Sequence, residues 1–224
     1  MSVATELVLV RHGEADCNVA GIVGGERGCT GLSPRGRQQA RALAAQLAAD
    51  HRIRPFDAFY TSPRRRALET AAAVGAALLV EAHVENGLRP LDYGEADGRP
   101  WREINSSPQG PPQLHPDRPF APGAESWNGF VGRTAAALQS ILDRHPGQRV
   151  LVCAHGETVE VACLRICGLE AGDRPAVGFL TDNAAITRWE QHLDRSGGPL
   201  WMLASHNDFH HLDAAADQGT AVEP

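Results

Sequence analysis

Two short aliphatic runs constrain this chain more than any other feature: Leu7-Val8-Leu9-Val10 and Val150-Leu151-Val152-Cys153-Ala154. Neither alternates with polar residues, so each suits a strand buried on both faces of a parallel sheet, with helices above and below. Both run into a histidine–glycine pair. His12-Gly13 follows the first run after Arg11, and His155-Gly156 follows the second directly. Helical patterns lie between the strands. Ser33-Pro34 reads as an N-cap with proline in the first turn, and Ala40, Leu43, Ala44 and Leu47 make one apolar face of a helix reaching residue 50. Residues 56–60 read as a second strand, 63–77 as an alanine-rich helix and 78–84 as a short strand. Helices over 124–145 and 158–167 follow, then two strands at 185–189 and 200–204 that pair as an antiparallel edge hairpin. Strands alternating with helices predict a doubly wound α/β sheet in a single domain over residues 1–212.

Residues 86–125 interrupt this rhythm. They hold 8 of the 15 prolines and few aliphatics, which predicts a lid-like excursion with a short helix near 101–105. Residues 213–224 have little to bury and are expected to be disordered.

Composition removes several function classes. The chain has no lysine, so its 21 basic residues are all arginine. A Schiff-base lysine, a pyridoxal-phosphate lysine and a P-loop lysine are therefore excluded. Against 27 acidic residues the net charge is −6, which argues against a nucleic-acid or anionic-membrane partner. Five cysteines without a C-x-x-C pair indicate a reducing compartment rather than a disulfide scaffold. The run at 7–10 is too short for a signal peptide or a membrane span, so a cytoplasmic protein is expected. Arginine and alanine richness without lysine points to a high-GC bacterial genome.

In open α/β sheets ligands bind beyond the carboxyl ends of the strands, where both His12 and His155 fall. Arg11 disfavours an imidazolium at His12, and a neutral imidazole among arginines can attack phosphoryl phosphorus. Gly13 has no side chain to block close approach to the backbone. Further on, Arg64, Arg65 and Arg66 crowd the first turn of a helix, against the preference of its dipole for anions. They form either a solvated basic face or a site where the helix N-terminus and a guanidinium share a dianion such as phosphate. His206, His210 and His211 have metal-like spacing but lie near the chain's end, and no metal site is expected there. Trp101 and Trp127 flank the excursion, either lining a lid over an apolar leaving group or packing within it.

Six blocks in order resemble the histidine phosphatase superfamily, in its phosphoglycerate-mutase-like branch. They are Arg11-His12-Gly13-Glu14 with Asn18; Leu32-Ser33-Pro34-Arg35-Gly36; Ser62-Pro63 with Arg66-Ala67 and Thr70-Ala71; Asp92-Tyr93-Gly94-Glu95 with Gly98; Pro122-Gly123 with Glu125-Ser126; and His155-Gly156. The resemblance implies a three-layer α/β/α sandwich with a mostly parallel sheet. It implies His12 as a nucleophile that forms a phosphohistidine, with Arg11, Arg66 and His155 holding the phosphoryl oxygens. Asn18 becomes a further donor, Tyr93 a substrate-facing aromatic, and Gly13, Gly156 and Glu95 neighbours of the substrate. Arg64 and Arg65 fall on variable positions and are read as surface or substrate-tuning residues. No metal and no cofactor are implied.

The implied activity is hydrolysis of a small phosphomonoester, releasing inorganic phosphate. The alternatives are a phosphoglycerate-mutase-type phosphoryl transferase, or a relative short of an acid that mainly binds a phosphorylated ligand. One departure motivates the last. The family places a glutamate proton donor three residues before the aromatic, and Pro90 stands there in this chain. Glu157 and Asp92 are equal candidates to replace it, with Glu95 third. The oligomeric state is left open, a homo-oligomer included.

Overall fold

Thr5–Arg11 forms β1, near the centre of a six-stranded sheet in the computed structural model, which describes residues 4–106, 110–169 and 177–213. After it come α1 (Asp16–Ala20), α2 (Pro34–Ile53), β2 (Ala58–Thr61), α3 (Arg65–Leu78) and β3 (His83–Val84). The second half supplies α4 (Trp101–Asn105), α5 (Trp127–Arg144), β4 (Arg149–Ala154), α6 (Gly156–Ile166), β5 (Ile186–Leu193) and β6 (Pro199–Asp208). The strand order is β3-β2-β4-β1-β5-β6. β3, β2, β4 and β1 run parallel, β5 runs antiparallel to β1, and β6 antiparallel to β5. The sheet is thus mostly parallel with an antiparallel edge.

Period-2 geometry explains why the strands read as unbroken aliphatic runs. Leu7, Leu9, Val150 and Val152 pack on Leu138 and Ile141 of α5 and on Val159 and Ala162 of α6. The intervening Val8, Val10, Leu151 and Cys153 pack on Leu43 and Leu47 of α2 and on Ala71 and Val74 of α3. Both faces are covered, giving three layers. Caps set the helix starts. Ser33 Oγ accepts from the Gly36 amide at 2.9 Å to open α2, and Ser126 Oγ accepts from the Gly129 amide at 3.1 Å to open α5. α5 therefore begins at Trp127, later than the pattern from 124 predicts.

Two expectations need correction. The strand predicted over 78–84 shrinks to His83–Val84, because Leu79 ends α3 in the left-handed region (φ 57°). The Val80 amide then bonds back to the Gly75 carbonyl at 3.1 Å, so the chain turns instead of extending. The excursion at 86–125 contains α4 where a short helix was expected, yet it is more than a lid. Leu91, Tyr93, Ala96 and Ile104 join Trp127 and Phe130 of α5 and Val161 of α6 in a third apolar cluster. Arg133 of α5 ties this segment down, donating to the Gly87 carbonyl at 2.7 Å and pairing with Glu125 at 2.7 Å. From residue 214 on, the tail expected to be disordered lies outside the described residues. Among those residues, no helix is long and apolar enough to cross a membrane.

Candidate active site

Register brings the two histidines together. β1 and β4 are neighbours with Arg11 opposite Ala154, and the His12 amide donates to the Ala154 carbonyl at 3.0 Å. The next residue on each strand is then a histidine, and their rings meet edge-on with centroids 5.2 Å apart. β2 ends on the other side of β4, where the Ser62 amide donates to the Cys153 carbonyl at 3.0 Å. Three parallel strands thus deliver His12, His155 and Ser62 to one sheet edge.

Hydrogen bonds assign the His12 tautomer. His12 is 3% exposed, and its Nδ1 lies 2.7 Å from the Gly13 carbonyl, which only accepts. Nδ1 therefore carries the proton, and Nε2 turns its lone pair to Arg66 Nε, which donates to it at 2.9 Å. The Ser62 hydroxyl sits 2.8 Å from His155 Nε2 and accepts from the Arg64 amide at 3.3 Å. A hydroxyl donates one proton and accepts on two lone pairs, so this contact fits His155 Nε2 as acceptor or as donor. Sequence reasoning gave Ser62 no role. Its position directly after β2, one of three strands ending at the same edge, is the signal that marks it.

Both rings are held well below the usual histidine range. For His12 burial is the largest cause, followed by the charges of Arg66 and Arg11. For His155 it is burial, then Arg66, His12 and Arg64. A sign for stability follows. The unfolded chain protonates histidine below about pH 6.5, while the fold keeps these two neutral, so stability is lost as pH falls below that value. The melting temperature is expected to fall between pH 7 and pH 5, and to fall less steeply in His12→Ala. A flat or rising profile would mean that the rings are charged in the fold.

Arg66 is 6% exposed and also donates through Nη1 to the Gly24 carbonyl at 2.6 Å. Arg11 donates through Nη1 to the Thr181 carbonyl. Asn18 Oδ1 accepts from the Ala15 amide at 3.0 Å, which leaves the Asn18 NH2 free to donate. Arg11 Nε, Arg64 Nε, His155 Nδ1 and Thr158 Oγ1 are buried without a protein partner. A cavity of about 240 Å³ adjoins them; Arg11 lines it, while Arg64, His155 and Thr158 do not. Arg11, His12, Asn18 and Arg66 line its polar end, and Gly156 and Glu157 bring the N-terminus of α6 to its wall. Unpaired donors, two guanidiniums and a helix N-terminus suit a phosphoryl dianion.

The other predicted residues divide. Tyr93 lines the cavity, packed edge-on against Trp101 at 5.1 Å. Burial and then the Glu157 charge push its hydroxyl above the usual tyrosine range. Of the three proton-donor candidates, only Glu157 lines the cavity, as does Pro90. Asp92 is exposed, and its Oδ1 accepts from the Gly94 amide at 2.9 Å, capping a turn. Glu95 is exposed in that turn, its amide bonded to the Pro122 carbonyl at 3.0 Å. Neither carboxylate lines the cavity, because the chain curls at Tyr93-Gly94 and leaves both on its exposed side. Gly13 does not line it either. A Cβ at Gly13 would come within 2.5 Å of the Gly36 carbonyl oxygen, so its need is close packing on α2 rather than substrate contact.

Arg64 pairs with Glu26, and Arg65 pairs with Glu69 at 2.7 Å. At the far edge, His206 Nδ1 bonds Thr187 Oγ1 at 3.1 Å and His210 bonds Asp208 at 3.1 Å. Among the described residues, no three His, Cys, Asp or Glu side chains group as metal ligands.

A buried neutral imidazole with its lone pair turned to an arginine, beside a pocket built for a dianion, defines a protein of histidine-based phosphoryl chemistry. Its place among such proteins is specific. The family profile of the histidine phosphatase superfamily, branch 1, matches residues 7–202, and the chain belongs to that superfamily. It is 32% identical over 218 residues to a metal-independent phosphoserine phosphatase of Arabidopsis thaliana, covering 95% of this chain and 85% of that one. A putative phosphoserine phosphatase 2 of Hydrogenobacter thermophilus is 31% identical, covering 88% of this chain and 94% of the relative. Among solved structures, a mutant phosphoserine phosphatase from Entamoeba histolytica in complex with phosphoserine superposes with a TM-score of 0.74 at 27% identity, covering 93% and 99% of the two chains. A mycobacterial glucosyl-3-phosphoglycerate phosphatase gives a TM-score of 0.74 at 26% identity, covering 90% and 98%.

Proposed function

We propose that this chain hydrolyses small phosphomonoesters through a phosphohistidine on His12. The observation that carries the proposal is the His12 tautomer: Nδ1–H is spent on the Gly13 carbonyl, and Nε2 presents its lone pair inside the cavity. Nε2 attacks phosphorus, and the ester P–O bond breaks. The ring gains positive charge as the N–P bond forms, and the Gly13 carbonyl stabilises it through Nδ1–H. Arg11, Arg66, Asn18 and His155 hold the phosphoryl oxygens, so that charge is balanced by fixed donors. Water then attacks the phosphohistidine, the N–P bond breaks, and inorganic phosphate leaves.

Glu157 is the proton donor in this proposal. It is the carboxyl group that lines the cavity, and its charge acts on both Arg11 and Tyr93. It protonates the departing alkoxide and then, as carboxylate, takes a proton from the attacking water. Glu157→Gln is expected to lower kcat on alkyl phosphomonoesters by about 10²- to 10³-fold. The first-turnover burst of para-nitrophenolate, which reports phosphorylation alone and needs no acid, is expected to slow less than about tenfold. Equal slowing of the phosphorylation step on both substrates would remove Glu157 from the proton-donor role.

Release of phosphate from para-nitrophenyl phosphate by the purified chain tests the proposal, and no release at all would refute it. The mutase reading is disfavoured because Arg11 and Arg66 are the only cations lining the cavity among the described residues, and both serve one phosphoryl group. This reading puts the reaction in a bacterial cytoplasm, which the lysine-free composition and the free thiols support.

A further inference from the structure

Beyond the phosphoryl end, the cavity changes character. Ile22, Pro90, Leu91, Tyr93 and Trp101 form its outer wall. Tyr93 stands perpendicular to Trp101 at 5.1 Å and is braced by Phe120 at 6.0 Å, so the aromatic corner is fixed by packing. Charge is one-sided. Arg11 and Arg66 belong to the phosphoryl end, and Glu157 is the one carboxylate lining the space among the described residues. Two further arginines do not line it: Arg64 pairs through Nη1 with Glu26 and keeps its Nε buried without a partner, and Arg27 donates to the Gly94 carbonyl at 2.9 Å and pairs with Asp97 at 3.8 Å.

A second anionic group on the substrate would therefore sit against an apolar wall with no further lining cation, among the described residues, to pair it. Phosphoserine, the compound bound in one related structure, carries such a carboxylate. The volume fits a different occupant. An apolar cavity of about 150 Å³ holds a benzene ring, and about 240 Å³ takes a phosphoryl group with a ring behind it.

We propose that the leaving group this site selects is an uncharged alcohol bearing an apolar ring, packed on Trp101 and Tyr93, and not a carboxylate-bearing one. The inference rests on the phosphatase reading above and specifies its substrate class. Pro90 contributes directly: where the family carries an acid, this chain adds apolar wall.

The test is kcat/KM of the purified full-length chain on benzyl phosphate, glycerol phosphate, phosphoserine and 3-phosphoglycerate. All four are alkyl esters, so the comparison reports on the pocket more than on leaving-group acidity. Benzyl phosphate is expected to exceed glycerol phosphate by about tenfold or more from ring burial, and the two carboxylates by about a hundredfold or more because their second charge loses water without a cation to pair it. Trp101→Ala should cost benzyl phosphate about tenfold more than glycerol phosphate, mainly in KM. Ile22→Arg, which sets a cation on the wall, should narrow the gap to phosphoserine by about tenfold, and it keeps the test open if the tryptophan variant folds poorly. Turnover of phosphoserine or 3-phosphoglycerate equal to or above that of benzyl phosphate would overturn the proposal. So would a Trp101→Ala loss of the same factor on every substrate. If neither these esters nor para-nitrophenyl phosphate is hydrolysed, the phosphatase reading itself fails and takes this inference with it.

Discussion

Replacing His12 with alanine is expected to lower kcat/KM on para-nitrophenyl phosphate by about 10⁴-fold, to the floor of the assay. The expectation follows from one atom. Nε2 of His12 is the group whose lone pair is both free of a proton and inside the cavity, and burial with Arg66 and Arg11 keeps it so. His155 engages Nε2 with Ser62 at 2.8 Å, so that nitrogen is not presented to phosphorus. Vanadate binding should survive in the variant, because Arg11, Arg66, Asn18 and the α6 N-terminus remain. Rapid quench of the wild-type chain in alkaline detergent with phosphorus-labelled substrate should trap label on protein that is stable to alkali and labile to acid, and the variant should trap none. Turnover within tenfold of wild type would place the nucleophile elsewhere.

The parts legible in the sequence were those written in local pattern. Val8 and Leu9 face opposite layers, so a strand covered on both sides must be aliphatic at every position, and that continuity marked β1 and β4. The His-Gly pairs then fell at strand ends, and parallel pairing alone brought them together. What stayed illegible depends on contacts distant in sequence or on backbone sign. Leu79 enters the left-handed region although it is not glycine, and this removed most of a predicted strand. Asp92 and Glu157 looked equivalent as carboxylates near family motifs. They separate because the turn at Tyr93-Gly94 spends Asp92 on a backbone amide, while the start of α6 sets Glu157 in the cavity wall. The 86–125 segment looked unable to build a core because its apolar partners, Trp127, Phe130 and Val161, lie on α5 and α6.

Arg66→Ala should be nearly as damaging as loss of the nucleophile, by a different route. The side chain makes two contacts at once, Nε to His12 Nε2 and Nη1 to the Gly24 carbonyl, and that fork fixes its plane against the imidazole. In the proposed mechanism His12 Nε2 exchanges this donor for phosphorus as substrate enters, and Arg66 Nε passes to a phosphoryl oxygen. The guanidinium thus moves from shielding the nucleophile to holding the electrophile with little displacement, and it compensates charge throughout. Removing it is expected to weaken vanadate binding more than tenfold and to lower kcat/KM by about 10³-fold. Arg66 is also the largest charge cause of depression for both His12 and His155, so the variant should protonate its histidines at higher pH and lose activity earlier on acidification. Arg66→Lys separates charge from geometry. An ammonium keeps the charge but cannot span His12 and Gly24 together, so it should recover little of the rate while restoring part of the acid limb toward wild type. Full recovery of kcat/KM by lysine would show that a point charge is sufficient, and the fork would then have no part in catalysis.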